Sequence, residues 1–156
     1  KAACAIARKA VSAYKGRFVA LDVGPTGRLL EPMGDCSFDE AYEAFAEAAK
    51  AGEAAGADLI VIETMSDLYE LKAAVLAVKE NTSLPIVASA TFQPNGRMLT
   101  GADHATVVAT MEGLGVDAVG FNCVGDPDEV KALAREFYRY ASVPVFAEPN
   151  AGRGTA

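Results

Sequence analysis

The amino-acid sequence predicts an α/β fold built on a parallel sheet. Five short apolar stretches, often rich in β-branched residues, recur along the 156 residues. Each of the first four is followed by a segment in which apolar residues recur with helical periodicity. Such strict alternation is typical of parallel strands joined by right-handed helical crossovers. A further helix is predicted at residues 1–14, where charges are spaced as on a surface helix.

The apolar stretches predict five strands, at Phe18–Val23, Asp58–Glu63, Pro85–Thr91, Ala118–Asn122 and Pro144–Glu148. Helix boundaries are indicated by local signals. Ser37 and Glu40 have the spacing of a capping box, in which each side chain bonds the other residue's backbone N–H. Pro127, directly after Asp126, predicts the first turn of the helix that follows the fourth strand. Gly56 and Gly115 follow two predicted helices, where a left-handed residue is favoured.

Two architectures fit this order of elements. Five parallel strands could form a complete flavodoxin-like, doubly wound domain, which the chain length favours. They could also be consecutive strands of a (β/α)₈ barrel, which typically needs about 250 residues. The polar candidates favour the barrel, because all fall at the C-terminal ends of strands and a barrel gathers these ends around one mouth. These candidates are Asp22, Glu63, Thr91, Asn122-Cys123 and Glu148–Asn150.

Composition excludes several classes of partner. The formal net charge is -7 and no Lys/Arg cluster is present, so neither nucleic acid nor an anionic membrane surface is an expected partner. The longest apolar runs have only the length of strands, so no membrane span is predicted. Three unevenly spaced cysteines, without a signal-peptide core at residues 1–14, predict free thiols in a reducing cytoplasm.

The turn Asp22–Gly27, with the sequence DVGPTG, permits two interpretations. It is a tight strand-to-helix turn, or its backbone amides form a cradle for a small anion such as a carboxylate. The pattern alone favours the turn. The turn lacks the Gly and Lys spacing of a nucleotide-binding loop, so a nucleotide ligand is not expected.

Glu63 ends an apolar strand, where a carboxylate is costly unless it is paired or reaches solvent. Its negative charge could interact favourably with the N-terminal end of the next helix, which would stabilise that helix by a few tenths to about 1 kcal/mol. It could instead be the counter-ion of a substrate ammonium group, and its position at the strand end favours this second role.

Cys123 follows Asn122 in the stretch GFNCVG and could be a core residue, a nucleophile or a metal ligand. The residues alone favour packing, because no histidine is placed to activate the thiol. A zinc site would need further Cys or His ligands at the same mouth, and Cys4 and Cys36 are not at strand ends. The one histidine, His104, is expected to be a solvated residue in the first turn of a helix.

Six stretches occur together, in one order and over nearly the whole chain: DVGPTGRLLEP (22–32), SFDEAYEAF (37–45), GADLIVIETMSDLYELKAAVLAVKE (56–80), TFQPNGRMLTGAD (91–103), LGVDAVGFNC (114–123) and PNAG (149–152). On these motifs the chain resembles the homocysteine S-methyltransferase family. Within that family it is most similar to the homocysteine-binding barrel of bacterial cobalamin-dependent methionine synthases.

The resemblance implies that residues 1–156 are an incomplete (β/α)₈ barrel covering roughly strands 3 to 7. The first two βα units would precede Lys1 and the last strand would follow Ala156. The resemblance also implies that Cys123 is one of three thiolate ligands of a zinc ion. The other two would be an adjacent Cys pair beyond Ala156. Relatives usually have Ser and a small residue after this Cys, whereas this chain has Val124-Gly125.

For the substrate, the resemblance implies that Glu63 binds the amino group of homocysteine and that Asn150 lines the site. Asp22, Gly24 and Thr26 would lie at the same mouth. The reaction would be zinc-dependent methyl transfer to the homocysteine thiol, forming methionine. The expected methyl donor is methylcobalamin on another domain, with cobalamin- and folate-binding domains in the same or a partner polypeptide, and the chain alone would be inactive.

Two other functions remain open from the residues. One is a complete flavodoxin-like binding or regulatory domain, in which Cys123 is a packing residue. The other is a βα-barrel lyase that uses Glu63 for acid/base chemistry.

Overall fold

In the computed structural model, which describes residues 1–151, helices and strands alternate along the chain. The helices are α1 (Ala2–Val11), α2 (Phe38–Ala54), α3 (Leu68–Asn81), α4 (His104–Leu114) and α5 (Pro127–Tyr140). The strands are β1 (Ala20–Val23), β2 (Leu59–Met65), β3 (Ile86–Ala90), β4 (Ala118–Asn122) and β5 (Val145–Glu148). Among residues 1–151, no helix combines the length and the apolar character needed to cross a membrane.

The five strands form one sheet in the order β1-β2-β3-β4-β5, and every neighbouring pair is parallel. The predicted parallel α/β fold is therefore confirmed. A doubly wound domain needs a point at which the strand order reverses, and this sheet has none in the described part of the chain. The flavodoxin-like alternative is therefore wrong. Consecutive parallel pairing is the arrangement found in an arc of a (β/α)₈ barrel.

The predicted strand boundaries agree with the structure to within two residues. The predicted helix at residues 1–14 is shorter and ends at Val11. The capping box is present, because the Ser37 hydroxyl accepts from the Glu40 N–H at 3.1 Å and the Glu40 carboxylate accepts from the Ser37 N–H at 2.9 Å. Gly56 and Gly115 have φ of 85° and 79°, the left-handed conformation expected after a helix.

The helices pack against one face of the sheet, which explains the burial pattern along β2. Ile60 and Ile62 are fully buried between sheet and helices. Their neighbours Val61 and Glu63 point to the opposite face and are only half-buried. The apolar core thus lies on the helix side, while polar residues at the strand ends collect on the other side.

The close approach of β5 to β4 depends on Gly120. A Cβ atom at this position would lie 2.5 Å from the Phe146 carbonyl oxygen and 2.6 Å from its ring. Because the paired backbone must then shift, we expect Gly120→Ala to lower the free energy of unfolding by about 1–3 kcal/mol. Urea denaturation monitored by circular dichroism measures this change.

Gly113→Ala is the matched control. Gly113 is an exposed residue of α4 with no atom within 4 Å of its added Cβ, so alanine there should stabilise by about 0.5–1 kcal/mol. If Gly120→Ala matched the wild type in stability, the close packing of β5 on β4 would be wrong.

Candidate functional site

The carboxyl ends of the strands meet at one edge of the sheet, which we call the mouth. Asp22 lies in β1, Glu63 in β2, and Asn122 ends β4 with Cys123 directly after it. Glu148 ends β5 and is the register partner of Asn122. The predicted strand-end candidates are therefore brought to a common edge by the parallel pairing.

Glu63 lies close to two other carboxylates at the mouth. Burial raises the pKa of Glu63 above its ordinary value, and the negative charges of Asp22 and Glu148, with a hydrogen bond to Glu148, raise it further. Glu148 reaches Glu63 although β5 is three positions from β2 in the sheet order, so the sheet curves around this face. A cationic group such as an ammonium ion is the ligand that this set of carboxylates attracts best.

Glu63 lies in a β-bulge of β2. The register between β2 and β3 shifts between Ile62 and Met65. Within this bulge Thr64 has φ of 63°, a left-handed conformation that is uncommon for a β-branched residue and costs on the order of 1–3 kcal/mol. Bulges next to functional sites commonly redirect a side chain, and Glu63 lies within this one, directly before Thr64.

The side chain of Asn122, only 4% exposed, holds the bulge in place. Its Oδ1 accepts from the Thr64 N–H at 3.2 Å and from the Ser89 hydroxyl at 3.1 Å. Its Nδ2 donates to the Thr64 Oγ1 at 2.6 Å and reaches the Cys123 Sγ at 3.6 Å. One buried amide therefore connects the ends of β2, β3 and β4.

Cys123 presents an exposed thiol at the mouth. Its φ of 62° turns the chain sharply after β4, while its N–H donates to the Glu148 carbonyl at 3.2 Å. The Asn150 N–H donates to the Val124 carbonyl at 2.8 Å, which keeps the two chain segments adjacent. Cys123 and Asn150 consequently line the same cavity, of about 720 Å³, beside the mouth.

The metal-binding capacity of these residues is limited. Over residues 1–151, no group of three His, Cys, Asp or Glu side chains is placed to hold a metal ion. Cys4 lies in α1 and Cys36 in the loop between β1 and α2, and both are free and buried. A catalytic zinc site takes about three protein ligands, so Cys123 fits as one ligand and the others would have to come from outside the described residues.

The glycine-containing turn after β1 is fixed by a residue that the sequence analysis did not single out. The N–H and the hydroxyl of Thr26 both donate to one carboxylate oxygen of Glu70, each at 2.7 Å. Glu70 lies in the first turn of α3 and is 2% exposed. Asp67-x-x-Glu70 has the spacing of a helix cap, so the sequence predicts only a local capping role for Glu70. Its contact with a turn 44 residues away could not be predicted from this spacing.

The predicted site residues of this turn are thus in different surroundings. Both donors of Thr26 face Glu70, whereas Gly24 is exposed with no atom within 4 Å of the position of a Cβ.

Gly152, the last residue of the PNAG motif, lies outside the described residues.

The expectation for His104 is wrong. It begins α4 as predicted, but its ring lies 4.6 Å from that of Phe92 and is half-buried instead of solvated. Its Nε2 is buried without a hydrogen-bond partner among residues 1–151, and burial lowers its pKa. Phe92 lies in a loop, and no local pattern places that loop against α4.

The raised pKa of Glu63 predicts a pH-dependent stability. Stability from a carboxyl group whose pKa is raised on folding is present at low pH and is lost as pH rises through the folded-state pKa. Ionised Glu63 therefore destabilises the protein at neutral pH. Glu63→Gln should raise the urea midpoint at pH 7 and leave it unchanged at about pH 4, where Glu63 is protonated.

Glu47→Gln, at an exposed position of α2, controls for the loss of one negative charge. A urea midpoint at pH 7 that is equal for wild type and Glu63→Gln would contradict the destabilising effect of ionised Glu63 at the mouth.

Comparisons with known proteins agree with this geometry. Methionine synthase of Mycobacterium tuberculosis (strain ATCC 25618 / H37Rv) is 36% identical over 157 residues, which cover 95% of this chain and 13% of that protein. The apo form of the homocysteine methyltransferase MmuM from Escherichia coli has a TM-score of 0.82 at 26% identity. The match covers 94% of this chain and 57% of that one. The metallated form of MmuM gives a TM-score of 0.75 over 94% and 55% of the two chains.

The chain thus spans about an eighth of the mycobacterial methionine synthase and a little over half of MmuM. The sequence profile of one family, homocysteine S-methyltransferase, matches residues 1–156. Together with the mycobacterial relative, this match shows that the chain belongs to the homocysteine S-methyltransferase family.

Proposed function

We propose that the protein containing this chain transfers a methyl group to the thiol of homocysteine in a zinc-dependent reaction that forms methionine. In this proposal residues 1–156 supply roughly strands 3 to 7 of a (β/α)₈ barrel and lack its first two βα units and its last strand. The consecutive order of the five strands and the likeness to the longer chain of MmuM support this assignment.

The combination of a thiol and carboxylates at one mouth carries the proposal. Cys123 is exposed there, beside the carboxylate set of Asp22, Glu63 and Glu148. A small molecule with an ammonium group at one end and a thiol at the other would satisfy both. Homocysteine has this constitution, since its amino group and its thiol are separated by a short chain.

Each residue has a defined part in binding. The Glu63 carboxylate binds the substrate ammonium group, and Asp22 adds negative charge beside it. The exposed backbone at Gly24, in the turn that Thr26 and Glu70 hold in shape, is available to the substrate carboxylate. The substrate thiol then extends towards Cys123 and Asn150, which border one cavity.

Cys123 is the zinc ligand that this chain provides, and the adjacent Cys pair expected beyond Ala156 would complete the set. Zinc in an open coordination site stabilises a bound thiol as the thiolate, the form that attacks a methyl group. MmuM, a structural relative of this chain, has a metallated form, which supports a metal in this family.

The methyl donor in this proposal is methylcobalamin, as the resemblance to cobalamin-dependent methionine synthases implies. It would be presented at the mouth by a cobalamin-binding domain of the same or a partner polypeptide, alongside a folate-binding domain. The thiol of homocysteine would release its proton to solvent and its sulfur would form the new S–CH₃ bond, while the bond between the methyl group and its donor breaks and leaves its electron pair on the demethylated donor. A cytoplasmic location belongs to this proposal, because exposed Cys123 must stay reduced to bind a metal.

The raised pKa of Glu63 also favours a second candidate, a βα-barrel lyase that uses this carboxyl as a general acid or base. That function assigns no part to Cys123.

Zinc content separates the two candidates. We expect Cys123→Ala in the full-length protein to lose bound zinc and the ability to methylate homocysteine, because a thiolate ligand is removed. Zinc is measured by atomic emission after dialysis. Cys4→Ala, a buried residue of α1, is the control and should keep its zinc. Unchanged zinc in Cys123→Ala would reject Cys123 as a ligand and leave the lyase as the better candidate.

Substrate kinetics test Glu63. Hydrogen bonds to charged groups contribute about 1.5–3 kcal/mol, so Glu63→Gln should raise KM for homocysteine roughly 10- to 100-fold with a much smaller change in kcat. Glu47→Gln, at an exposed position of α2, should leave KM unchanged. A loss confined to kcat would point to proton transfer by Glu63 and contradict the assignment to ammonium binding.

A further inference from the structure

The hydrogen bonds of Asn122 connect the two halves of the proposed site. On one side its amide contacts Thr64, the residue after Glu63, and on the other it reaches the Sγ of Cys123. We propose that Asn122 is a positioning residue which orients the Cys123 thiolate and the Glu63 carboxylate together. This inference rests on the proposed function, because it assigns Cys123 to zinc and Glu63 to the substrate.

The bulge of β2 depends on Asn122. Thr64 would relax to an extended conformation if nothing opposed its left-handed φ of 63°. The amide of Asn122 bonds both its N–H and its hydroxyl, at 3.2 and 2.6 Å, across 58 residues of sequence. This two-point contact holds the conformation that directs Glu63 into the mouth.

The side-chain amide of Asn122 that bonds Thr64 also lies next to the sulfur of Cys123. A hydrogen-bond donor beside a metal-bound thiolate stabilises its charge and fixes the direction of the sulfur. The Asn122 Nδ2 lies 3.6 Å from this sulfur and is held by its bond to Thr64. Such supporting contacts typically change metal affinity about 10- to 100-fold when removed.

Only an amide satisfies every partner of this side chain. The two donor hydrogens of Nδ2 are directed to Thr64 and Cys123, and the Oδ1 accepts from Thr64 and Ser89. The Thr64 N–H is always a donor, so it determines which end of the amide carries the oxygen. Aspartate has the same shape but would bring a negative charge to the sulfur in place of a donor.

The central experiment compares Asn122→Asp with Ser89→Ala in the full-length protein. Asn122→Asp should weaken zinc binding about 10- to 100-fold, measured by competition with a chromophoric chelator, and should raise KM for homocysteine. Ser89→Ala removes a different bond to the same buried amide, so it should lower stability without changing either quantity. Equal zinc affinity in Asn122→Asp and wild type, with only stability lowered, would overturn the proposal.

Thr64→Val tests whether Asn122 orients Glu63 through Thr64. This variant remains informative if Asn122→Asp does not fold. It removes the hydroxyl that accepts from Nδ2 but leaves Cys123 in place. We expect a raised KM for homocysteine and a smaller loss of zinc affinity than in Asn122→Asp, because the Asn122 Nδ2 is still present beside the Cys123 sulfur. An unchanged KM would show that Asn122 does not orient Glu63 through Thr64.

Cys123→Ala, measured in the same series, separates failure of the proposed function from failure of the role given to Asn122. If Cys123→Ala keeps its zinc, the proposed function itself fails. If Cys123→Ala loses zinc and Asn122→Asp binds it normally, only the role of Asn122 fails.

Discussion

Consecutive parallel pairing is the constraint on which the rest of the structure depends. Because each strand pairs with the next strand along the chain, every strand presents its carboxyl end at the same edge. Residues far apart in sequence, from Asp22 to Glu148, therefore come to one mouth. The helices need cover only the other face, so apolar packing and polar chemistry are segregated on opposite sides of one sheet.

The mouth combines features that each carry an energetic cost. Glu63 is partly buried near two other carboxylates, and Thr64 is held in a left-handed conformation. Hydrogen bonds from neighbouring residues hold both arrangements in place, chiefly the two bonds between Asn122 and Thr64. Costly arrangements of this kind persist where a site must be organised before its ligand arrives. An ammonium group bound beside Glu63 would offset the repulsion among the carboxylates.

Local signals in the sequence predicted most of the fold. The alternation of strands and helices, the capping box at Ser37 and the left-handed glycines Gly56 and Gly115 all depend on residues close in sequence, and the structure confirms them. Polar residues at strand ends likewise predicted the common edge at which the structure places them. The choice between an open sheet and an arc of a barrel required the strand order, which no local pattern determines.

The internal organisation of the site could not be predicted for the same reason. Glu70 has the spacing of a helix-capping residue but binds Thr26, and Asn122 ends a strand but bonds a bulge in β2. His104 is buried by Phe92 from a separate loop. Each contact joins segments whose proximity exists only after folding, so the residue type alone carries no signal of it.

In the proposed function Cys123 would hold a zinc ion at this mouth, and the thiol of homocysteine would be an added ligand. X-ray absorption at the zinc edge of the full-length protein tests this claim most directly. We expect that adding homocysteine increases the number of sulfur ligands by one, and that Cys123→Ala lacks one sulfur ligand in the absence of substrate. A sulfur shell that is unchanged by homocysteine and identical in Cys123→Ala would contradict it.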